Sequence, residues 1–139
     1  MTSMSRTEVR GQLVDVVNGK VVPSRVVMER GTFVEVDRVD NAPERYLLPG
    51  LIDSHIHIES SQLCPSRFAE AAVPHGTTAV VSDPHEIANV HGIKGIELML
   101  RDASTVPLRV FLTAPSCVPA TPYERSGAVI GIEDIERML

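Results

Sequence analysis

The sequence predicts an α/β protein in which a small β-sheet part precedes alternating strands and helices. Up to Pro49 the apolar residues form short β-branched runs that are separated by turn dipeptides. Beyond Gly50, apolar runs begin near residues 51, 77 and 108, which gives spacings of 26 and then 31 residues. Spacings of this size are typical of βαβ units, which build parallel sheets. We therefore expect two parts, residues 1–49 and residues 50–139.

The first part is predicted to be a small β-meander. Turn dipeptides, Asn18-Gly19 and Arg30-Gly31, separate its strand candidates and favour antiparallel pairing. The strand candidates are residues 12–17, 25–28 and 32–36. Residues 1–49 contain seven basic and seven acidic residues, so the net charge of −5 lies in the second part.

The second part is predicted to alternate strands with helices. Pro65 favours a first helical position and begins a helix over residues 66–73, which Pro74-His75-Gly76 ends. A second helix over residues 92–102 has Ile93, Ile96, Met99 and Leu100 on one face. Strands are expected at residues 51–57, 77–82 and 108–114, and a further helix begins within residues 132–139.

The composition indicates a folded globular protein and argues against nucleic-acid or membrane partners. Hydrophobic residues make up 43% of the chain and charged residues 22%. The net charge of −5, with no Trp, provides neither a basic face nor a stacking platform for nucleic acid. The chain has no apolar run of about 18 residues and no apolar leader, so a cytoplasmic location is expected. Cys64 and Cys117 are expected to be reduced, buried and structural.

The most informative motif is Asp53-Ser54-His55-Ile56-His57, at the end of the first strand after Gly50. Alternate residues of a strand point to the same face, so His55 and His57 could place two imidazole nitrogens on one divalent metal. Active sites of parallel α/β proteins gather at the carboxyl ends of the strands. The alternative is that two structural histidines happen to be separated by one residue.

A second motif, Ser82-Asp83-Pro84-His85-Glu86, ends the next strand. It would lie beside the first motif if the two strands are neighbours in a parallel sheet. Its carboxylates and imidazole could bind a metal, orient a metal-binding histidine or hold a substrate. In the alternative interpretation Asp83 caps the following helix, and His85 and Glu86 are solvated.

Other candidates are weaker. Cys117 lies in a proline-rich loop after the third strand and has no neighbouring base in the sequence that would activate it. Glu59 could support a metal site or face water. His75 and His91 are interpreted as ordinary loop or helix-end residues. The sequence contains no glycine-rich phosphate-binding motif.

Longer segments resemble a known family. The first is the segment Leu48-Pro49-Gly50-Leu51-Ile52-Asp53-Ser54-His55-Ile56-His57. It resembles the entry motif of the amidohydrolase superfamily, whose members are metal-dependent hydrolases built on a (β/α)8 barrel with a small flanking β-domain. More narrowly, the segments around His57-Ile58-Glu59-Ser60-Ser61, Ser82–Val90 and Pro115–Pro122 resemble the bacterial and archaeal adenine deaminases.

This resemblance implies hydrolysis of adenine to hypoxanthine and ammonia at a binuclear centre of manganese or iron. His55, His57 and Glu86 would be metal ligands, and Asp83, His85 and Glu86 would be catalytic. A complete (β/α)8 barrel takes about 250 residues. The resemblance implies that residues 1–49 are strands of a small β-sandwich-like domain, and that residues 50–139 are the first three βα units of a truncated barrel. Such a fragment is expected to be inactive alone.

Two alternatives to this function are considered. The chain could belong to another amidohydrolase that acts on a cyclic amide or an amino-heterocycle. It could also be a non-catalytic fragment or one half of a split protein. The expected partners are a small-molecule substrate and either a second copy of the chain or a missing C-terminal half, with no nucleic acid and no membrane.

Overall fold

The computed structural model describes residues 6–139 as a mixed α/β protein. The chain divides between Pro49 and Gly50 into two compact units, each with a sheet of its own. None of the described helices is both long and apolar enough to cross a membrane.

The first unit is a four-stranded sheet with the order β3-β2-β1-β4. Its first three strands form an antiparallel meander, and the short β4 pairs with β1 in parallel. Gly19 and Gly31 adopt φ values of 63° and 75° in the two turns, a conformation that glycine adopts without steric cost. The strands are β1 (Arg6–Asp15), β2 (Lys20–Glu29), β3 (Thr32–Arg38) and β4 (Tyr46–Leu47).

An ionic network covers one face of this sheet. The guanidinium group of Arg25 forms ion pairs with Glu8, Glu35 and Asp37, and Arg6 joins Glu29 to Glu35. Cross-strand pairs of opposite charge favour one strand register over its neighbours. This ionic network therefore helps to specify the strand register of the antiparallel meander.

The second unit is a three-stranded parallel sheet, in the order β5-β6-β7, with helices between its strands. Pro65 occupies the first turn of α1, where its missing N–H is not needed. Gly92, with φ 59°, separates α2 from α3. The elements are β5 (Leu51–Ile56), α1 (Pro65–Ala72), β6 (Thr77–Ser82), α2 (His85–His91), α3 (Ile93–Ala103), β7 (Arg109–Leu112) and α4 (Ile132–Met138).

The core of the second unit lies between this sheet and the helices. One cluster combines β6 with α1 and α3, and its buried members are Ile58, Ala69, Val80, Met99 and Leu108. A second cluster lies beneath α2 and the loop after β7, and its buried members are Ala88, Ile96, Val118 and Ile130. Both clusters support the chain segments that leave the carboxyl ends of β5 and β6.

Several expectations differ from the structure in detail. The strands β1 and β2 begin earlier than the predicted runs because the antiparallel pairing of Arg6–Asp15 with Lys20–Glu29 continues beyond those runs. On α3, Ile96 and Met99 are buried as expected, whereas Leu100 is 47% exposed. Cys64 and Cys117 are free thiols, as expected, but both are exposed, so the expected burial is wrong. They lie in segments between elements, and such segments run over the surface of a protein.

Candidate metal centre

The two motifs meet at the carboxyl edge of the parallel sheet. Strands β5 and β6 pair in parallel, so the residues that follow them leave the sheet at the same edge. His57 follows β5, and Asp83 and His85 follow β6. The amide of Asp83 donates to the carbonyl oxygen of Ile56 at 3.0 Å, which joins the segments just beyond the strands.

Three side chains form a compact cluster of metal-binding groups. One ligand atom each from His57, Asp83 and His85 lies within 4.8 Å of the other two, and all three residues are half-buried. The imidazole rings of His57 and His85 meet edge to face, with their centroids 4.8 Å apart. These residues come from both motifs, so the cluster depends on the parallel pairing of β5 and β6.

The backbone of Asp83 orients the imidazole of His57. The Nδ1 atom of His57 lies 3.0 Å from the carbonyl oxygen of Asp83. Because a carbonyl oxygen can only accept, Nδ1 carries the proton and Nε2 keeps its lone pair. This arrangement, in which the second ring nitrogen donates to a carbonyl group, is common among histidines that bind metals.

The side chain of Asp83 orients the second histidine. Its Oδ2 atom lies 3.2 Å from Nδ1 of His85, while Oδ1 accepts a hydrogen bond of 3.2 Å from the hydroxyl group of Thr113. Thr113 directly follows β7, so a third strand contributes to the centre. The bond from Nδ1 leaves Nε2 of His85 free, and ligating histidines are often held in this way by a carboxylate.

These donors fit a divalent transition metal. Two imidazole nitrogens are part of the ligand sets that Zn²⁺, Mn²⁺ and Fe²⁺ accept, and a carboxylate beside them can hold their rings. The Nδ1 atoms of both histidines are engaged by oxygen atoms of Asp83, which leaves the Nε2 atoms for ligation. The residues present therefore fit the group that the sequence motifs predicted.

His55 and Glu86 lie beside this cluster and not within it. The ring of His55 is 5.0 Å from the ring of His57, edge to face, and His55 is exposed. The Oε1 atom of Glu86 accepts a hydrogen bond of 2.6 Å from the hydroxyl group of Ser60. Among residues 6–139, the grouping of mutually close ligand atoms contains neither His55 nor Glu86.

The remaining candidates occupy distinct places. Glu59 points towards α2, where its Oε1 atom lies 3.4 Å from the amide of Ile87. Asp83 does not cap α2, which begins after Pro84 without a side-chain cap hydrogen bond. His75 lies at the amino end of β6, away from the cluster, and Cys117 is exposed in the loop after β7. Sequence reasoning missed Ser60 and Thr113, since single hydroxyl residues in loops carry no periodic signal.

A comparison with protein families finds a match over most of the chain. The model of the amidohydrolase family matches residues 46–138. The chain belongs to the amidohydrolase family. The matched range includes the whole parallel sheet and the three residues that form the cluster in this amidohydrolase chain.

Curated relatives of this amidohydrolase chain carry the name adenine deaminase. The protein from Methanosarcina mazei is 50% identical over 129 residues, which are 93% of this chain and 23% of the relative. The Salinibacter ruber protein is 48% identical over 131 residues, 94% of this chain and 24% of the relative. The Borreliella afzelii protein is 42% identical over 138 residues, which are 98% of this chain and 25% of the relative. The amidohydrolase chain thus spans 23% to 25% of the length of these relatives.

Proposed function

We propose that this chain is the N-terminal part of an adenine deaminase, which hydrolyses adenine to hypoxanthine and ammonia. The observation that carries the proposal is the cluster of His57, Asp83 and His85 at the ends of neighbouring parallel strands, in a chain 50% identical to a protein of that name. The identity of 50% extends over 93% of this chain, and the family match at residues 46–138 spans both motifs as well as the strands that bring them together.

In this proposal the chain provides part of a metal centre. His57 and His85 would bind manganese or iron through Nε2, with His55 beside them, and Asp83 would hold both imidazole rings. The metal would supply a nucleophilic hydroxide near neutral pH by acidifying water. Glu86 was expected among the ligands, and its bond to Ser60 favours a supporting role instead.

We also propose that residues 50–139 are the first βα units of a (β/α)8 barrel. The parallel order β5-β6-β7, with helices between the strands, supports this proposal. A barrel of this kind takes about 250 residues, and its active site collects residues from the carboxyl ends of several strands. Residues 1–49 would then be strands of the small β-domain. Further ligands and the proton-transfer group would come from strands beyond this chain, so we expect the chain alone to be inactive.

A chimeric enzyme tests this function directly. The chain replaces the segment that it matches in the Methanosarcina mazei relative, and ammonia release from adenine is measured after reconstitution with Mn²⁺. We expect activity that His57→Ala lowers by about 100-fold or more, because a direct metal ligand is lost. The matched control is His75→Ala, which removes an exposed imidazole at the opposite end of β6 and should leave the rate unchanged.

Metal content and circular dichroism of the chimera show whether it is folded and loaded. A folded, metal-loaded chimera that releases no ammonia from adenine would overturn the proposed substrate. A chimera whose activity survives His57→Ala would overturn the proposed role of the cluster. The isolated chain should release no ammonia in the same assay, in agreement with its incomplete set of strands.

A further inference from the structure

A second set of contacts joins the loop after β5 to the beginning of α2. The hydroxyl group of Ser60 donates to Oε1 of Glu86 at 2.6 Å, and the amide of Ile87 lies 3.4 Å from Oε1 of Glu59. We call these four residues the clasp. Its two halves are separated by more than 25 positions in the sequence, so the clasp forms only when β5 and β6 are side by side.

The clasp lies directly beside the candidate metal ligands. Glu59 and Ser60 follow His57 closely, and Glu86 is the neighbour of His85. Between them, Ile58 is fully buried, and its amide lies 3.4 Å from the hydroxyl group of the buried Ser82. The segment that carries His57 is therefore attached to β6 and α2 both before and after the imidazole.

The clasp has a feature that stability alone does not explain. Among the described residues, Oε2 of Glu59 and Oε2 of Glu86 are buried and have no hydrogen-bond partner. Burying a carboxylate oxygen without a partner costs free energy, and such groups are rare in native proteins. Carboxylates kept in this condition beside a cluster of metal-binding groups point to a function at that cluster.

We propose that Ser60 and Glu86 are positioning residues that hold the imidazole of His57 at the separation from His85 that a divalent metal requires. Neither residue touches the metal in this proposal. Ser60 fixes the end of the turn that follows His57, and Glu86 fixes that turn to the first turn of α2. The inference rests on the proposed metal centre.

The first test measures binding of Mn²⁺ alone to the complete 139-residue chain by isothermal titration calorimetry. Ser60→Ala should weaken binding about 10-fold, the lower end of the effect of losing groups that orient ligands. Ser60→Thr keeps the hydroxyl group and should restore most of the affinity. The matched control is Ser66→Ala, which removes a comparable bond of 3.0 Å from a serine hydroxyl to the carboxylate of Asp102, on α1 and α3.

Equal effects of Ser60→Ala and Ser66→Ala on Mn²⁺ affinity would overturn the positioning role. Circular dichroism is recorded for each variant. Should Ser60→Ala unfold the chain, Glu86→Gln takes its place, because it keeps the shape of the side chain and weakens the bond from Ser60 by removing the charge. Glu86→Gln should then lower the affinity for Mn²⁺, and an unchanged affinity would count against the proposal.

A metal-free measurement separates the clasp from the proposed function. The ¹⁵N chemical shifts of His57 report which ring nitrogen carries the proton. Ser60→Ala should shift His57 from the Nδ1–H form towards a mixture of the two neutral forms, whereas Ser66→Ala should not. Unchanged ¹⁵N shifts of His57 in Ser60→Ala would overturn the positioning role of the clasp. Failure of both the wild-type chain and the chimera to bind Mn²⁺ would instead overturn the metal centre, and the ¹⁵N result would still decide whether the clasp holds His57.

Discussion

Nδ1 of His57 lies 3.0 Å from the backbone carbonyl oxygen of Asp83. This bond crosses from the segment after β5 to the segment after β6, so the parallel pairing of two strands determines the tautomer of one imidazole ring. A carbonyl group cannot be lost by changing a side chain. The orientation of His57 therefore depends on the backbone path after Ser82, and the carboxylate of Asp83 remains available for His85 and Thr113.

We predict that neutral His57 exists in the Nδ1–H form in the metal-free chain. The carbonyl oxygen of Asp83 accepts only from a protonated Nδ1, which favours this form over the other. Long-range ¹H–¹⁵N correlation spectra above pH 8 measure the protonation of each ring nitrogen. Exposed His75 is the internal control and should show the distribution of an unconstrained imidazole. Identical nitrogen shifts for the two histidines would contradict the bond.

We predict that Asp83→Asn weakens Mn²⁺ binding by about 10- to 100-fold, the range expected when a group that orients metal-binding histidines is lost. The asparagine keeps the backbone carbonyl that orients His57, but its amide is a poorer partner for Nδ1 of His85. Isothermal titration calorimetry of the folded variant measures the effect. Asp40→Asn, an exposed position in the first unit, removes the same charge and should bind as the wild type does. Equal losses of Mn²⁺ affinity in Asp83→Asn and Asp40→Asn would show that the affinity depends on net charge and not on the bond from Asp83 to His85.

The sequence predicted the sheet of the second unit well because its apolar runs are short and regularly spaced. The strand expected at residues 77–82 has these bounds in the structure, and Pro65 begins α1 as expected. The helix α2 was suggested only as an alternative, since it has seven residues and its sequence is largely polar. The two-residue β4 was missed because its pairing with β1 depends on a distant segment.

The candidate cluster could be predicted in part. Parallel neighbouring strands bring together the residues at their carboxyl ends, which led from the sequence to five candidates, His55, His57, Asp83, His85 and Glu86. The structure groups the ligand atoms of three of them, His57, Asp83 and His85. The roles of individual atoms could not be predicted in this way. Whether Glu86 faces the cluster or Ser60, and whether Thr113 reaches Asp83, depends on the path of the loops in three dimensions.

We predict that Met99→Ala destabilises the second unit by about 2–5 kcal/mol, the range for removing a large buried side chain from a core. Met99 is 5% exposed and packs in the cluster around Val80. Leu98→Ala is the matched control on the same helix, because Leu98 is 53% exposed and its truncation should cost about 0.5 kcal/mol or less. Urea unfolding followed by circular dichroism measures both. Similar free energies for the two variants would show that α3 does not pack as described.

We predict that the second unit loses stability in acid partly through Asp102. The amide of Ser66 donates to Oδ2 of Asp102 at 2.6 Å and its hydroxyl group donates to Oδ1 at 3.0 Å. The backbone bond from Ser66 is the main reason that the pKa of Asp102 lies below its ordinary value of 3.8. Near and below pH 3.8 the unfolded chain therefore binds more protons than the folded chain. The contribution of Asp102 to the free energy of unfolding is complete above the ordinary pKa and is lost as the pH falls through the lowered pKa of the folded chain.

Asp102→Asn tests this dependence because asparagine can accept the bond from the amide of Ser66 but cannot titrate. The free energy of unfolding, measured with urea from about pH 5 to about pH 2.5, should fall less steeply in the variant than in the wild type. Glu133→Gln removes an exposed carboxylate from the first turn of α4 in the same unit. The free energy of unfolding of Glu133→Gln should fall as steeply with decreasing pH as that of the wild type, since Asp102 is still present. If the free energy of unfolding falls equally steeply with decreasing pH in Asp102→Asn and in the wild type, protonation of Asp102 does not contribute to the loss of stability in acid.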